Sequence, residues 1–267
     1  MFWRLCRQMI KNRRKQWFGY SFIGAGFLVL YVALFPTIQQ QSADYQKILD
    51  GLPKGVMSAF NITNSSTSLM GYLSSKHFGL VWALMIVFLM TSYGGLALAR
   101  EIETRTMGFL LSLPISRTKL YLSRWTTGLI GLAIFIVCSE VLVWPLAAAF
   151  GFDASLRDTL NIGLLGFLFG FAILGMSLLL SAALSEGGKV TAYLSTTLLV
   201  MYVMFLVASL EPRLQWLQYV SVFHYFAPGN VITDGYVSLG SFLFLLGLGA
   251  VAGSIGLAVF RQRDIAV

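Results

Sequence analysis

Charge and cysteine are both scarce in this chain. Of its 267 residues only 11% are Asp, Glu, Lys or Arg, against 57% hydrophobic. No water-soluble domain of this length keeps that balance, so soluble enzymes and disordered tails are excluded. The two cysteines, Cys6 and Cys138, have no spacing that suggests a disulfide framework or a zinc site and read as free thiols. Histidine is as rare, with only His77 and His224. There is no Gly-x-x-x-x-Gly-Lys-Ser/Thr phosphate loop and no Gly-x-Ser-x-Gly nucleophile elbow. The nearest fragment is Gly187-Gly188-Lys189, where Ala183 stands at the first glycine position and Val190 follows the lysine. That fragment reads as a turn.

What the chain does have is long apolar runs. They are bounded by charge near residues 18–38, 78–98, 125–149, 160–184, 190–209 and 239–260, and each is long enough to cross a hydrocarbon core of about 30 Å. The fourth and fifth are separated only by Ser185-Glu186-Gly187-Gly188-Lys189, a tight helical hairpin. These runs predict an all-α, polytopic membrane protein with six transmembrane helices and both termini on one side. A cleaved signal peptide is the weaker reading of the start, because the basic region is long and the apolar run after it is a full span.

The net charge of +8 is distributed unevenly. One side of the predicted topology carries Arg4, Arg7, Lys11, Arg13, Arg14 and Lys15, then Arg100, Arg105, Arg117, Lys119 and Arg124, then Lys189, Arg261 and Arg263. The other carries Lys47, Lys54, Lys76, Arg157 and Arg213. Positive segments resist translocation, so the richer side, with both termini, is expected in the cytoplasm. A basic balance arranged this way gives no reason to expect nucleic acid as a partner.

Residues 1–17 are expected to form an amphipathic helix lying in the cytoplasmic interface against membrane lipid. Phe2, Leu5, Cys6, Met9 and Ile10 share one face, Arg4, Arg7, Lys11 and Arg14 share the other, and Trp3 and Trp17 act as anchors. Only Arg13 breaks the pattern. The remaining residues, 18–267, form a single transmembrane domain. Its external segments are about 39–77, polar with short surface helices, and 210–238, which is aromatic and expected to lie on or dip into the membrane as short helices broken at Pro228-Gly229.

The cytoplasmic loop 99–124 combines acids, a glycine break, an apolar patch and a helix restart. Pro114 halts one helix and Ser116 is placed to cap the next. Between them a short helix parallel to the membrane is expected to expose Met107, Phe109, Leu110 and Leu111 as a docking knob for a soluble partner. Inside the spans, Glu140 is the only acid. Burial there costs about 2.5–3.5 kcal/mol, so it serves either a substrate pathway or gate, or a packed site. Gly166 and Gly170, and Gly249 and Gly253, have the four-residue spacing of close helix approach, within one bundle or at a dimer seam.

The loop resembles that of ABC-2 type transporter permease subunits, in which an acidic turn precedes a Leu-Leu-x-x-Pro-x-Ser-Arg run. The matching residues are Glu101, Glu103, Gly108, Leu110, Leu111, Pro114, Ser116 and Arg117. The likeness extends along the chain in its basic start, six spans, external first loop and aromatic segment before the last span. It departs at Arg105-Thr106, where members often carry Gly-Thr. The resemblance implies that the loop docks a separate ATP-binding subunit, with Glu103 and Arg117 orienting the docking surface. ATP and Mg would then belong to that partner and no cofactor to this chain. It also implies pairing with a second copy or a sister permease, outward movement of an amphipathic or hydrophobic substrate, and a bacterial or archaeal inner membrane. The rival classes are a polytopic membrane enzyme using His224, Asp234 or Glu211, and a stand-alone secondary transporter.

Overall fold

The computed structural model describes residues 2–40, 68–112 and 114–264, with the isolated Gly51 and Met57. Most of the external segment 39–77 therefore lies outside the described residues. The helices are α1 (Phe2–Gln40), α2 (Leu69–Glu103), α3 (Thr106–Ser112), α4 (Arg117–Glu140), α5 (Val143–Ala149), α6 (Leu156–Ala183), α7 (Gly187–Leu210), α8 (Val222–Tyr225), α9 (Pro228–Asp234) and α10 (Leu239–Gln262). A 3₁₀ stretch, Pro212–Val220, leads into α8. Among the described residues six helical segments are long and apolar enough to span: α1, α2, α4 with α5, α6, α7 and α10. There is no strand among them. The chain is an all-α, six-span membrane protein.

Serines start five of these helices, Ser221 capping α8 by accepting from Phe223 N at 3.2 Å. Ser68, Ser116, Ser155 and Ser238 each accept a hydrogen bond from the backbone N–H three residues on, satisfying a donor that the first turn leaves free. The third span is broken after Glu140. Pro145 has no N–H to give and its ring crowds the carbonyl of Val141, so the chain turns at Val141-Leu142 before α5 resumes. In α2 the turns widen to π geometry at Ser74–Trp82 and Gly95–Ala99. At the second of these, the N–H groups of Leu98 and Ala99 both donate to Ser181 Oγ of α6 at 3.1 Å. A hydroxyl of the neighbouring helix thus satisfies donors of the widened turns.

Central to the bundle is α6, the most buried span, which packs on α10, α2 and α4. Lipid tails give helices no hydrophobic reason to associate, so close approach must come from small residues. A Cβ on Gly166 would collide with the Trp82 ring, on Gly170 with Leu132, on Gly249 with Phe171, and on Gly253 with Trp125. Gly175 lies directly against the backbone of Gly249, and Gly95 against that of Gly187. The space over all four glycines expected at packing or seam positions is filled from within the chain.

Two expectations need correction. Residues 2–17 are not set off from the first span, since α1 runs unbroken for 39 residues, about 58 Å at 1.5 Å per residue. Its buried stripe of Cys6, Met9, Trp17, Ser21, Gly24, Leu28, Val32 and Phe35 is continuous along that length. Trp17, expected as an interfacial anchor, is 1% exposed and fits against Gly131 of α4. Only Trp3 stays open. The second correction concerns histidine. Because α2 begins at Leu69, His77 lies inside a spanning helix, fully buried beside Tyr31 and Phe78, with neither ring nitrogen hydrogen-bonded among the described residues.

The segment before the last span folds back onto the bundle. Pro228 opens α9 at the position where a missing N–H costs nothing. Phe226 stacks on Phe169 with centroids 4.4 Å apart, about midway along α6, and Phe223 meets both Phe169 and Tyr202.

Candidate functional site

The loop between α2 and α4 is built from the two helix ends that flank it. Glu101 and Arg124 form a two-contact ion pair, with Arg124 Nη2 at 2.7 and 3.0 Å from the carboxylate oxygens. The Arg124 side chain is only 3% exposed. The Tyr93 hydroxyl donates to the Arg124 carbonyl, and Arg13 of α1 reaches the Leu96 carbonyl. Arg13, the one residue out of place in the amphipathic pattern, is thus the cation that faces the bundle.

Beyond Glu103 the helix ends at Thr104, and Arg105 takes φ 56°, a left-handed conformation that favours glycine. This is the position at which the sequence departs from the Gly-Thr expected from the resemblance. Thr106 then donates to the Glu101 carbonyl at 3.1 Å and α3 begins. On α3 Met107 is 1% exposed and anchors the helix inward, whereas Phe109 is 72% exposed. The expected knob is therefore narrower than the sequence suggested. Met107 is not part of it, because the turn at Arg105 aims it into the core. Gly108 and Leu110 are half-buried, and the Leu111 side chain lies outside the described residues. Pro114 is exposed and Ser116 caps α4 through Lys119 N at 3.3 Å.

The charged residues flanking α3 hold other helix ends. Glu103 Oε2 accepts the N–H of Gly187 at 3.0 Å, a carboxylate at the positive end of α7. Arg117 Nη1 donates to the carbonyls of Phe260 and Arg261 at 3.4 Å each, and to that of Arg263. Arg263, absent from the sequence-level site, donates to Ala182 O at 2.8 Å, Leu184 O at 2.9 Å and Ser185 Oγ. Its one sequence signal was its place among the basic residues at the C-terminal exit.

A family model described as "ABC-2 family transporter protein" matches residues 6–265. The chain belongs to the ABC-2 transporter family. It is thus a permease component of an ABC transporter, a multi-pass membrane protein that works with an ATP-binding subunit. A comparison with curated proteins finds no match.

Elsewhere in the ABC-2 permease, Glu140 closes α4 with its side chain 8% exposed, its carboxyl pressed on Gly163 of α6, and Oε1 without a hydrogen bond among the described residues. The adjacent Ser139 accepts from Trp82 Nε1 at 2.8 Å. On the far side from α3, His224 and Asp234 line one cavity of about 260 Å³ together with Asn230 and Tyr236. Burial pulls His224 below the usual imidazole range. Glu211, grouped with them in the enzyme reading, instead caps its own turn at Arg213 N, 3.3 Å away. An apolar groove of about 340 Å³ runs between α2 and α7, walled by Leu80, Leu84, Val87, Leu198 and Leu199.

Proposed function

We propose that this permease is the membrane half of an ATP-driven exporter and that α3 is its docking element for a separate ATP-binding subunit, which carries the ATP and Mg. The observation that carries the reading is Phe109, a large aromatic left 72% exposed on a seven-residue helix whose neighbour Met107 is buried. An apolar ring held outward on a fixed helix suits insertion into a cleft of a soluble partner. The excess of Lys and Arg around this face supports a cytoplasmic position for α3 and both termini, in a bacterial or archaeal cell.

Two bundles pair, as a second copy of this chain or a sister, through the side of α7. That span is the least covered of the six, with Tyr193, Leu199, Val200 and Val203 open. The apolar groove between α2 and α7 then faces the partner bundle and suits an amphipathic or hydrophobic substrate moved outward.

Co-purification in nanodiscs with the ATP-binding subunits of the host, followed by ATP turnover with and without the permease, tests the docking. The Phe109→Glu variant should fold with an unchanged melting temperature and lose the complex. Retention of a stoichiometric complex by that variant would remove α3 from the interface.

A further inference from the structure

The contacts around α3 close into a ring. Glu103, just before the docking helix, holds the α6–α7 hairpin from one side at Gly187 N. Arg117, just after it, reaches the same hairpin by the other route. It is seated on the last carbonyls of α10, and Arg263 from that same end is seated on Ala182, Leu184 and Ser185. The two arms meet within five residues of one another on one turn, 182–187.

Each joint uses groups that a helix end leaves unsatisfied. The last carbonyls of α6 and α10 have no partner within their own helices, and a cationic fork is favoured at that negative pole. A guanidinium offers several donors in a fixed plane, so Arg263 engages three acceptors at once, which an ammonium does not do in one fixed geometry. Besides these two arms, the backbone of Gly187 rests on that of Gly95 in α2. A Cβ on Gly188 would meet only open space, and the Glu186–Lys189 pair is exposed and internal to the turn.

We infer that Arg263 is a positioning residue for energy coupling. Through Arg117 and Arg263, displacement of the docking helix is delivered to the α6–α7 hairpin and so to the two spans that leave it. The inference rests on the docking role of α3. It adds a residue and a route that the docking role alone does not require, since Phe109 lies on α3 and Arg263 follows the end of α10.

The test uses the full permease in nanodiscs with its ATP-binding subunit, with Cys6 and Cys138 replaced by alanine. Spin labels are placed at the exposed positions Phe22, Ser112 and Lys189. The Ser112–Phe22 distance reports movement of α3 and the Lys189–Phe22 distance that of the hairpin, each with and without ATP. In the parent both distances should respond. In Arg263→Ala the α3 response should persist while the hairpin response shrinks to what the Glu103–Gly187 arm carries, and transport per ATP should fall by about tenfold, within the range in which residues on a coupling route act. Arg263→Lys should lie between, and Arg261→Ala, which removes the same charge two residues away, should behave as parent.

If Arg263→Ala assembles and both distances respond as fully as in the parent, the inference is overturned and the docking role stands. If the parent binds no ATP-binding subunit, the docking role itself falls, and this route with it. Should Arg263→Ala fail to assemble, the lysine variant decides. An unaltered hairpin response there, together with faster amide exchange across 182–189 than in the parent, would reduce Arg263 to a structural clamp and overturn the inference.

Discussion

The Trp82 ring lies over Gly166, in the space that a Cβ would occupy, while its Nε1 donates to Ser139 Oγ. Three spans, α2, α4 and α6, are thereby joined at one side chain.

Gly166→Val should therefore push the indole off its site and cost about 1–3 kcal/mol, as overpacking usually does. Thermal unfolding in detergent reads the loss. Gly26→Ala is the control, because nothing lies within 4 Å of a Cβ there. Equal melting temperatures for the two variants would mean that the packing at Trp82 is loose.

The Glu101–Arg124 pair predicts a non-additive cycle. Either Glu101→Leu or Arg124→Met strands a poorly solvated charge and should destabilise by about 3–5 kcal/mol, whereas the double variant should recover most of that loss. Chemical denaturation of all four proteins checks this. Additive losses would show that the two side chains act independently.

Arg105 holds a left-handed backbone that costs a non-glycine residue about 1–2 kcal/mol. Arg105→Gly should relieve it, partly offset by the freedom that glycine gains when unfolded, and slow amide exchange across 104–112. Arg105→Val should speed exchange there, since a β-branched residue suits this conformation least. The reverse order would place the stability of the loop elsewhere.

Glu140 should tolerate removal of its charge. Glu140→Gln keeps the shape pressed on Gly163, so the melting temperature should stay level or rise and transport should persist, because a buried charge without a partner adds no stability. A several-fold loss of transport at an unchanged melting temperature would instead make the carboxyl part of the substrate pathway.

The span count was legible because roughly 20 consecutive apolar residues suit a membrane crossing and little else. The hairpin at Gly187-Gly188 and the cap at Ser116 were legible because their chemistry is local. Helix extents were not. Residues 69–77 carry polar groups that mask their helicity, and His77 fell on the wrong side of the drawn boundary for that reason, whereas Arg124 was placed on the helix that Ser116 caps and only its burial was missed. At the candidate site, the sequence marked Glu103 and Arg117 as charges beside a docking helix. Their partners, the N–H of Gly187 and the carbonyls after Phe260, are backbone atoms some 80 and 140 residues away, and periodicity carries no trace of them. Trp17 was misplaced in the same way. An aromatic near a boundary reads as an anchor until the glycine that receives it, Gly131, is known to lie opposite.

Where Gly175 meets Gly249 main chain rests on main chain, and where Gly95 meets Gly187 the same close approach is flanked by the Thr191 hydroxyl. Side-chain torsions are what let packed helices yield by small amounts. At these two points the glycines have none to turn. At the junctions of α6 with α10 and of α2 with α7 the separation of the helix axes is therefore set by the main chains themselves, and any larger residue there would have to force the spans apart.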